Sequence, residues 1–292
     1  MKTRKGLVWI REDLRIKDNA SISFATTNHE IVSVLYIYNK KLFDGKREAQ
    51  KWWLYKSLEN FKYELLKFNI NLEVLIGDET EILKKITKEK DFTIYWNKVY
   101  EPEQIKIEKE IIKHFRKENI GFSFFKGNIL IEYQDVTKED GTPFKVFTPF
   151  WKNAEEKYMN KIPSKEGNAK KLKKTEVFFK KNIAIKKILP EKNWYKKFEN
   201  YWLPSESEAL ETTKEFIKKK ILEYGNTRDF PSIEGTSKIS PYLKHGQISV
   251  ETIWRLCSEI KNKGKGYRKF INEIGWREFS HSLINNFPEM LK

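Results

Sequence analysis

The 292-residue chain predicts an α/β unit with a doubly wound parallel sheet, followed by an all-helical region. Three observations predict it. Short, continuous apolar runs rich in β-branched and aromatic residues recur through the first half, as in strands buried on both faces. Between these runs the apolar spacing switches to the helical period. From Ser205 onward the strand-like runs stop and helical spacing alone remains.

The elements follow in order. GLVWI, Gly6 to Ile10, is the first strand, and Asp18 or Asn19 is placed to cap the next helix. IVSVLYIY (Ile31 to Tyr38), NLEVLIG (Asn71 to Gly77), DFTIYW (Asp91 to Trp96) and GFSFF (Gly121 to Phe125) are the other four strands. Glu48 to Phe68 carries Trp52, Tyr55, Leu58 and Leu65 at helical spacing; Thr80 to Lys88 and Pro102 to Glu118 are further helices. Strands alternating with helices imply a five-stranded parallel, Rossmann-like sheet covered on both faces, ending near Phe150. No GxGxxG follows the first strand and no Walker A loop occurs, so the dinucleotide fingerprint fails. The carboxyl ends of the strands still suit a nucleotide-like ligand.

Residues 151–204 mix lysine runs with a few apolar anchors and prolines, the pattern of a basic interdomain linker. Residues 205–292 are helical: Ser205 to Gly225, opened by Ser/Glu capping residues, then Ile239 to His245, Val250 to Ile260 and Gly266 to Phe287. The expected division is therefore 1–150, 151–204 and 205–292.

Lys and Arg total 57 against 41 Asp and Glu, a formal net charge of +16. Such a charge attracts polyanions through counterion release. A chain rich in Lys, Ile and Asn together also fits a plain coding bias with solvated lysines. Apolar runs fall short of a membrane span, and the N-terminus lacks a signal-peptide apolar region. Cys257 is the only cysteine, which excludes an internal disulfide and a Cys-based zinc site. The composition reads as a soluble cytoplasmic protein.

Four strings carry more than composition. LVWIREDLRIKDNASI, Leu7 to Ile22, puts charges at a strand C-terminus. KVFTPFWK, Lys145 to Lys152, has Thr148 and Pro149 suited to a helix start, with Phe147, Phe150 and Trp151 suited to burial between domains. In YGNTRDFPSIEGTSKISPYLKHGQIS, Tyr224 to Ser249, the hydroxyls Thr236, Ser237 and Ser240 surround Lys238 just before an apolar helix, with Arg228 upstream. Free N–H groups, hydroxyls and a lysine at a helix start suit an anion; an ordinary capped helix is the plainer alternative. In FINEIGWREFSHSL, Phe270 to Leu283, helical spacing puts Glu273, Trp276, Arg277 and Ser280 on one face. That stripe suits a planar partner or an anion, or else a surface helix with a Glu273–Arg277 ion pair.

All four strings, in this order, resemble the DNA photolyase/cryptochrome family, most like a class I cyclobutane pyrimidine dimer photolyase. The likeness implies light-driven repair of pyrimidine dimers in DNA by electron transfer from reduced FAD. It implies that Tyr224, Thr236, Ser237, Lys238, Ile239 and Ser240 hold the FAD pyrophosphate and ribityl region, and that Phe270 and Arg277 contact the flavin. Lys238 stands where the family often has Arg. Arg228 would hold a DNA phosphate, and Glu273 and Trp276 would meet the flipped-out dimer, one by hydrogen bond and one by stacking. Glu273 favours a cyclobutane-dimer enzyme. Four unclustered histidines, no GxSxG and no reactive-cysteine context offer no rival catalytic centre. An antenna, folate or deazaflavin, is implied in the α/β unit, with Glu103 and Gln104 as candidate contacts. Family members continue beyond the equivalent of Lys292. The resemblance thus implies a chain truncated within an incomplete FAD-binding domain, retaining flavin poorly, with a C-terminal half missing or supplied separately. A cryptochrome-type photoreceptor and a non-catalytic pigment-binding fragment are the alternatives.

Overall fold

The computed structural model describes residues 5–43, 48–89, 92–159, 167–179, 185–190 and 192–291. Asp91, the expected start of the fourth strand, lies outside the described residues, as do parts of the expected linker.

The chain begins with β1 (Lys5–Ile10), α1 (Ala20–Asn28), β2 (Ile31–Tyr38), the single turn α2 (Lys40–Phe43) and α3 (Glu48–Leu66). It continues through β3 (Asn71–Ile76), α4 (Glu79–Glu89), β4 (Thr93–Asn97), α5 (Pro102–Lys117) and β5 (Phe122–Phe125). The strands form one parallel sheet in the order β3-β2-β1-β4-β5. The doubly wound sheet is thus present, and its order reverses between β1 and β4.

The two-residue period of the strands sorts the side chains between two cores. Val8, Ile10, Val34 and Tyr36 turn toward Leu54, Leu58 and Leu65 of α3 and Ile22 and Ala25 of α1. Leu7, Trp9, Leu35, Ile94 and Trp96 turn the other way, onto Leu83 of α4 and Ile111 and Phe115 of α5. Helix starts follow local chemistry. Asn19 caps α1, its side-chain oxygen accepting from Ile22 N–H, while α5 opens on Pro102.

The helical half comprises α6 (Phe147–Met159), α7 (Glu206–Lys219), α8 (Tyr224–Thr227), α9 (Ser240–Lys244), α10 (Val250–Ser258) and α11 (Lys265–Asn286). Its core takes Phe150 and Trp151 from α6, Phe216 from α7 and Phe270, Ile274 and Phe279 from α11. Trp52 and Trp53 of α3 belong to the same core, so that long helix serves both halves. Helix α6 runs across the expected boundary at Phe150. Gly275 of α11 lies so close to Trp151 that a Cβ there would sit 2.4 Å from the indole.

The helix expected over Ser205 to Gly225 divides. Ser205 caps α7 as anticipated, accepting from Glu208 N–H at 3.1 Å, but α7 ends at Lys219 and α8 is a separate turn. Gly266 supplies the reason. A Cβ there would lie 2.1 Å from the Leu222 carbonyl and 2.4 Å from that of Ile221, so the start of α11 abuts the broken segment directly. Within the linker, Phe178 and Phe179 N–H groups donate to the buried carboxylate of Glu73 on β3, both at 2.7 Å. That carboxylate fixes the connection against the sheet. No helix among the described residues is long and apolar enough to cross a membrane.

Candidate functional site

Two regions gather chemistry: the exposed face of the helical half around α8, the 235–240 loop and α11, and the junction where α9 meets the ends of β1 and β4.

On the helical face, α11 presents Glu273 and Trp276 beside Arg228, the C-cap of α8. Glu273 forms an ion pair with Arg228. The alternative pair, Glu273–Arg277, gives way because Arg277 reaches the next carboxylate along, Glu278, at 3.1 Å. Arg277 thereby leaves the stripe and lines the interdomain junction with Asp13, Tyr100 and His281. Trp276 is 47% exposed, yet one face of its indole is covered. Phe147, from the first turn of α6, stacks on it with centroids 3.9 Å apart and planes 7° from parallel. The indole is therefore held flat with its other face open, next to a cation and a carboxylate.

Behind this face Tyr224 and Phe270 are buried in an aromatic cluster with Phe216, at 5.5 Å edge-on and 4.7 Å respectively. The Arg228 guanidinium lies 5.2 Å over the Tyr224 ring. Ile239, in the 235–240 loop, belongs to the same core as these rings. Gly235 passes so near Thr227 that a Cβ would meet its hydroxyl at 2.3 Å. Lys238 has a left-handed φ of +55°, and Ile239, buried, returns to the right-handed region before the one-turn helix α9. A left-handed residue followed by a right-handed one turns successive N–H groups toward one side, the concavity that receives anions. Thr236 and Ser240 are exposed and Ser237 half-buried; their hydroxyls bond no protein group among the described residues. Lys238 pairs with Glu234 at 2.7 Å, an exposed contact worth little in water.

At the junction, α9 and the turn after it plug the crevice at the sheet's switch point. Lys244 bridges Glu12, after β1, and Glu101, before α5, the latter at 3.0 Å. Leu14 N–H donates to the His245 carbonyl at 3.1 Å, and Arg15 Nη1 to the Gly246 carbonyl at 3.0 Å. Gly246 has a φ of +67°, and a Cβ on it would lie 1.9 Å from the Glu12 carbonyl oxygen. Only glycine meets both conditions. Burial and the Glu101 carboxylate push Glu12 up to about 7, against the pull of Lys244. Burial, aided by the Lys244 charge, pushes His245 down to about 3. Gln104 lies in the surrounding network, 3.5 Å from Arg11 and 3.4 Å from Glu79, while Glu103 is exposed. The cavity here, lined by Glu12, Asp13, Asn97 and Tyr100 among others, is about 20 Å³. That is room for a water and no more.

Sequence reasoning missed Glu278, Phe147 as the partner of Trp276, and the Lys244 bridge. Glu278 is buried, accepting from Leu130 N–H at 2.8 Å and from Ile131 N–H. Its signal was a carboxylate on the apolar side of α11, beside Ile274 and Phe279. The other two join residues distant in sequence and left no local signal.

Known proteins resemble this chain in sequence and fold. A deoxyribodipyrimidine photo-lyase from Agrobacterium fabrum is 32% identical over 298 residues, covering 99% of this chain and 61% of that protein. Cryptochrome-2 of Arabidopsis thaliana is 25% identical, over 98% of this chain and 49% of its own length. A crystal structure of a bacterial class III photolyase from Agrobacterium tumefaciens superposes with a TM-score of 0.88 at 31% identity, over 99% of this chain and 60% of that one. The chain thus spans about half to three fifths of these relatives, and its likeness to the photolyases is not confined to class I. The DNA photolyase family model matches residues 6–168, more than half of the chain, and the chain belongs to the DNA photolyase family.

Proposed function

We propose that this chain acts in light-driven repair of cyclobutane pyrimidine dimers in DNA, with reduced FAD as electron donor, in the cytoplasm. The observation that carries the reading is the indole of Trp276, fixed by Phe147 on one face, open on the other, and set beside the Arg228–Glu273 pair. A flipped-out dimer offers a flat apolar surface and polar base edges, and a flanking phosphate offers charge. Trp276 would stack on the dimer, Glu273 would accept a hydrogen bond from it, and Arg228 would turn from Glu273 to the phosphate.

The residues fit the proposed cofactor at its phosphate end. The left-handed turn at Lys238, the three unengaged hydroxyls and the Lys238 charge suit a pyrophosphate, with Ile239 anchoring the loop and Tyr224 and Phe270 packed behind it. Bound reduced flavin would supply the light-driven electron that splits the dimer. This chain's residues would bind, orient and exclude water; Arg277 would bring its charge to the flavin from the junction side. A folate or deazaflavin antenna would meet Glu103, which is exposed, and Gln104, which is half-buried 3.5 Å from Arg11.

The test is binding in the dark to a short duplex with and without one thymine dimer. Stacking on an aromatic side chain is worth about 1–3 kcal/mol, so the chain should prefer the damaged duplex by roughly five- to a hundred-fold. Trp276→Ala should abolish the preference, while Arg228→Ala should weaken both duplexes alike. Equal binding of damaged and undamaged DNA by the unaltered chain would end this reading.

A further inference from the structure

The basic connection between the two halves takes no part in either region. Its residues 167–179 wrap β3, the edge strand of the sheet. Leu172 is buried in the core shared with α1 and α3, whereas Phe178 and Phe179 are buried in the core shared with α4 and α5. The strap thus passes from one face of the sheet to the other around its open edge. An edge so covered is closed to pairing with a further strand.

The backbone of the strap is pinned along this course. The Ser23 hydroxyl donates to the Asn168 carbonyl at 3.2 Å, and Lys170 N–H to the Thr26 hydroxyl at 3.0 Å. Leu172 N–H donates to the Phe68 carbonyl at 3.0 Å, and the Asn69 amide to the Leu172 carbonyl at 2.6 Å. The Asn71 amide donates to the Glu176 carbonyl at 2.8 Å, before Glu73 receives Phe178 and Phe179. All of these bonds use main-chain groups of the strap and leave its lysines out. Lys170, Lys171, Lys173 and Lys174 are exposed, and none forms an ion pair among the described residues. The one carboxylate of the strap, Glu176, is taken by Lys5. Farther along, Ile188 enters the same core as Leu172, and Lys186 and Lys187 before it are likewise exposed and unpaired among the described residues.

The apolar anchors account for the docking of the strap; the lysines add nothing to it. Charges on a backbone already fixed lose less freedom on binding than charges on a loose chain. An ammonium is a point charge that holds a phosphate without reading a base. Both aromatic residues of the strap are buried, so it offers no stacking face to a single strand. We infer that this strap is a second nucleic-acid contact, holding the phosphate backbone of double-stranded DNA without regard to sequence or damage. It is separate from the Trp276 face and does not rest on the dimer reading, because undamaged duplex is its ligand.

The test is the salt dependence of binding to an undamaged duplex, followed by fluorescence anisotropy. Each phosphate contact contributes about 0.9 to the slope of log K against log salt. Lys170→Gln, Lys171→Gln, Lys173→Gln and Lys174→Gln together should lower that slope by about 2–3.6 and weaken binding about tenfold at low salt. Lys106, Lys109, Lys113 and Lys117, exposed on α5 and outside any ion pair among the described residues, give a charge-matched control. Their replacement by Gln should change the slope by less than about 1. The ratio of damaged to undamaged binding should be the same in the strap variant as in the parent. A parent without any such ratio would end the repair reading and leave the slope to report on the strap. Equal slopes in the strap and control variants would overturn the inference. So would an unchanged slope with loss of binding to phosphatidylserine vesicles, which would assign the strap to a membrane surface.

Discussion

Replacing Glu278 tests how the two halves are joined. Its side chain is 2% exposed and is the acceptor for the N–H groups of Leu130 and Ile131, themselves buried. Burial raises its pKa, while the Arg277 charge and the two N–H donors oppose that rise. Glu278→Ala leaves both donors without a partner, at about 1–3 kcal/mol each, so a loss of about 2–6 kcal/mol is expected. A water entering the vacated space would bring the loss toward the lower figure. Glu278→Gln keeps one acceptor oxygen but turns an NH₂ group against a donor, so roughly half that loss is expected. Urea unfolding followed by tryptophan fluorescence measures both. Arg277 should lose its fixed position in both variants, since its guanidinium contacts Glu278. If Glu278→Ala and Glu278→Gln each cost under about 0.5 kcal/mol, the carboxylate does not hold the 129–131 segment and the reasoning fails.

Two glycines in left-handed conformation give a matched pair. Gly141 (φ +77°) has open space around a Cβ, so Gly141→Ala should cost about 1 kcal/mol; Gly246→Ala, against the Glu12 carbonyl, should cost roughly 3 kcal/mol or more in a thermal melt. Equal costs would mean that the docking of α9 on β1 is not close. His245 is held neutral, its pKa near 3, so between pH 6.5 and 3 the unfolded chain binds a proton that the folded chain does not. Stability is therefore lost as pH falls through that window, by roughly 2 kcal/mol at pH 5 from this residue, and His245→Gln should flatten the slope. Glu12 acts in the opposite sense. Its pKa near 7 lets the folded chain keep a proton between pH 7 and 4.5, so Glu12→Gln should remove a gain on acidification. Urea midpoints from pH 7.5 to 4.5 separate the two, and a His245→Gln profile parallel to the parent would refute the histidine assignment.

The sheet was legible because strands buried on both faces leave unbroken apolar runs; IVSVLYIY became β2 with the same ends. The cap at Asn19 and the start of α6 near Pro149 were legible because capping chemistry is local. The break between α7 and α8 was not, because its cause, the backbone of Gly266, lies more than forty residues on. Of the candidate site, Glu273, Trp276 and Arg228 do come together, whereas the place of Arg277 on their stripe does not hold. Helical spacing locates a Cβ, but a long guanidinium follows the nearest carboxylate, and Glu278 lies on the junction side. The covering of Trp276 by Phe147 depends on how α6 crosses α11, which no periodicity reports.

That crossing has a mechanical meaning. With no side chain between Gly275 and the Trp151 ring, the contact serves as a fulcrum for a helix of 22 residues. A rocking motion of about 10° about it displaces Asn286, roughly 16 Å along the axis, by about 3 Å. The same rock moves positions within two residues of the fulcrum by only about 0.5 Å. Glu273 and Trp276 sit two residues before and one after it. The long helix can thus absorb motion at its ends while the pair on its exposed face stays nearly still. A methyl group at position 275 would act on both at once, lifting acid and indole together.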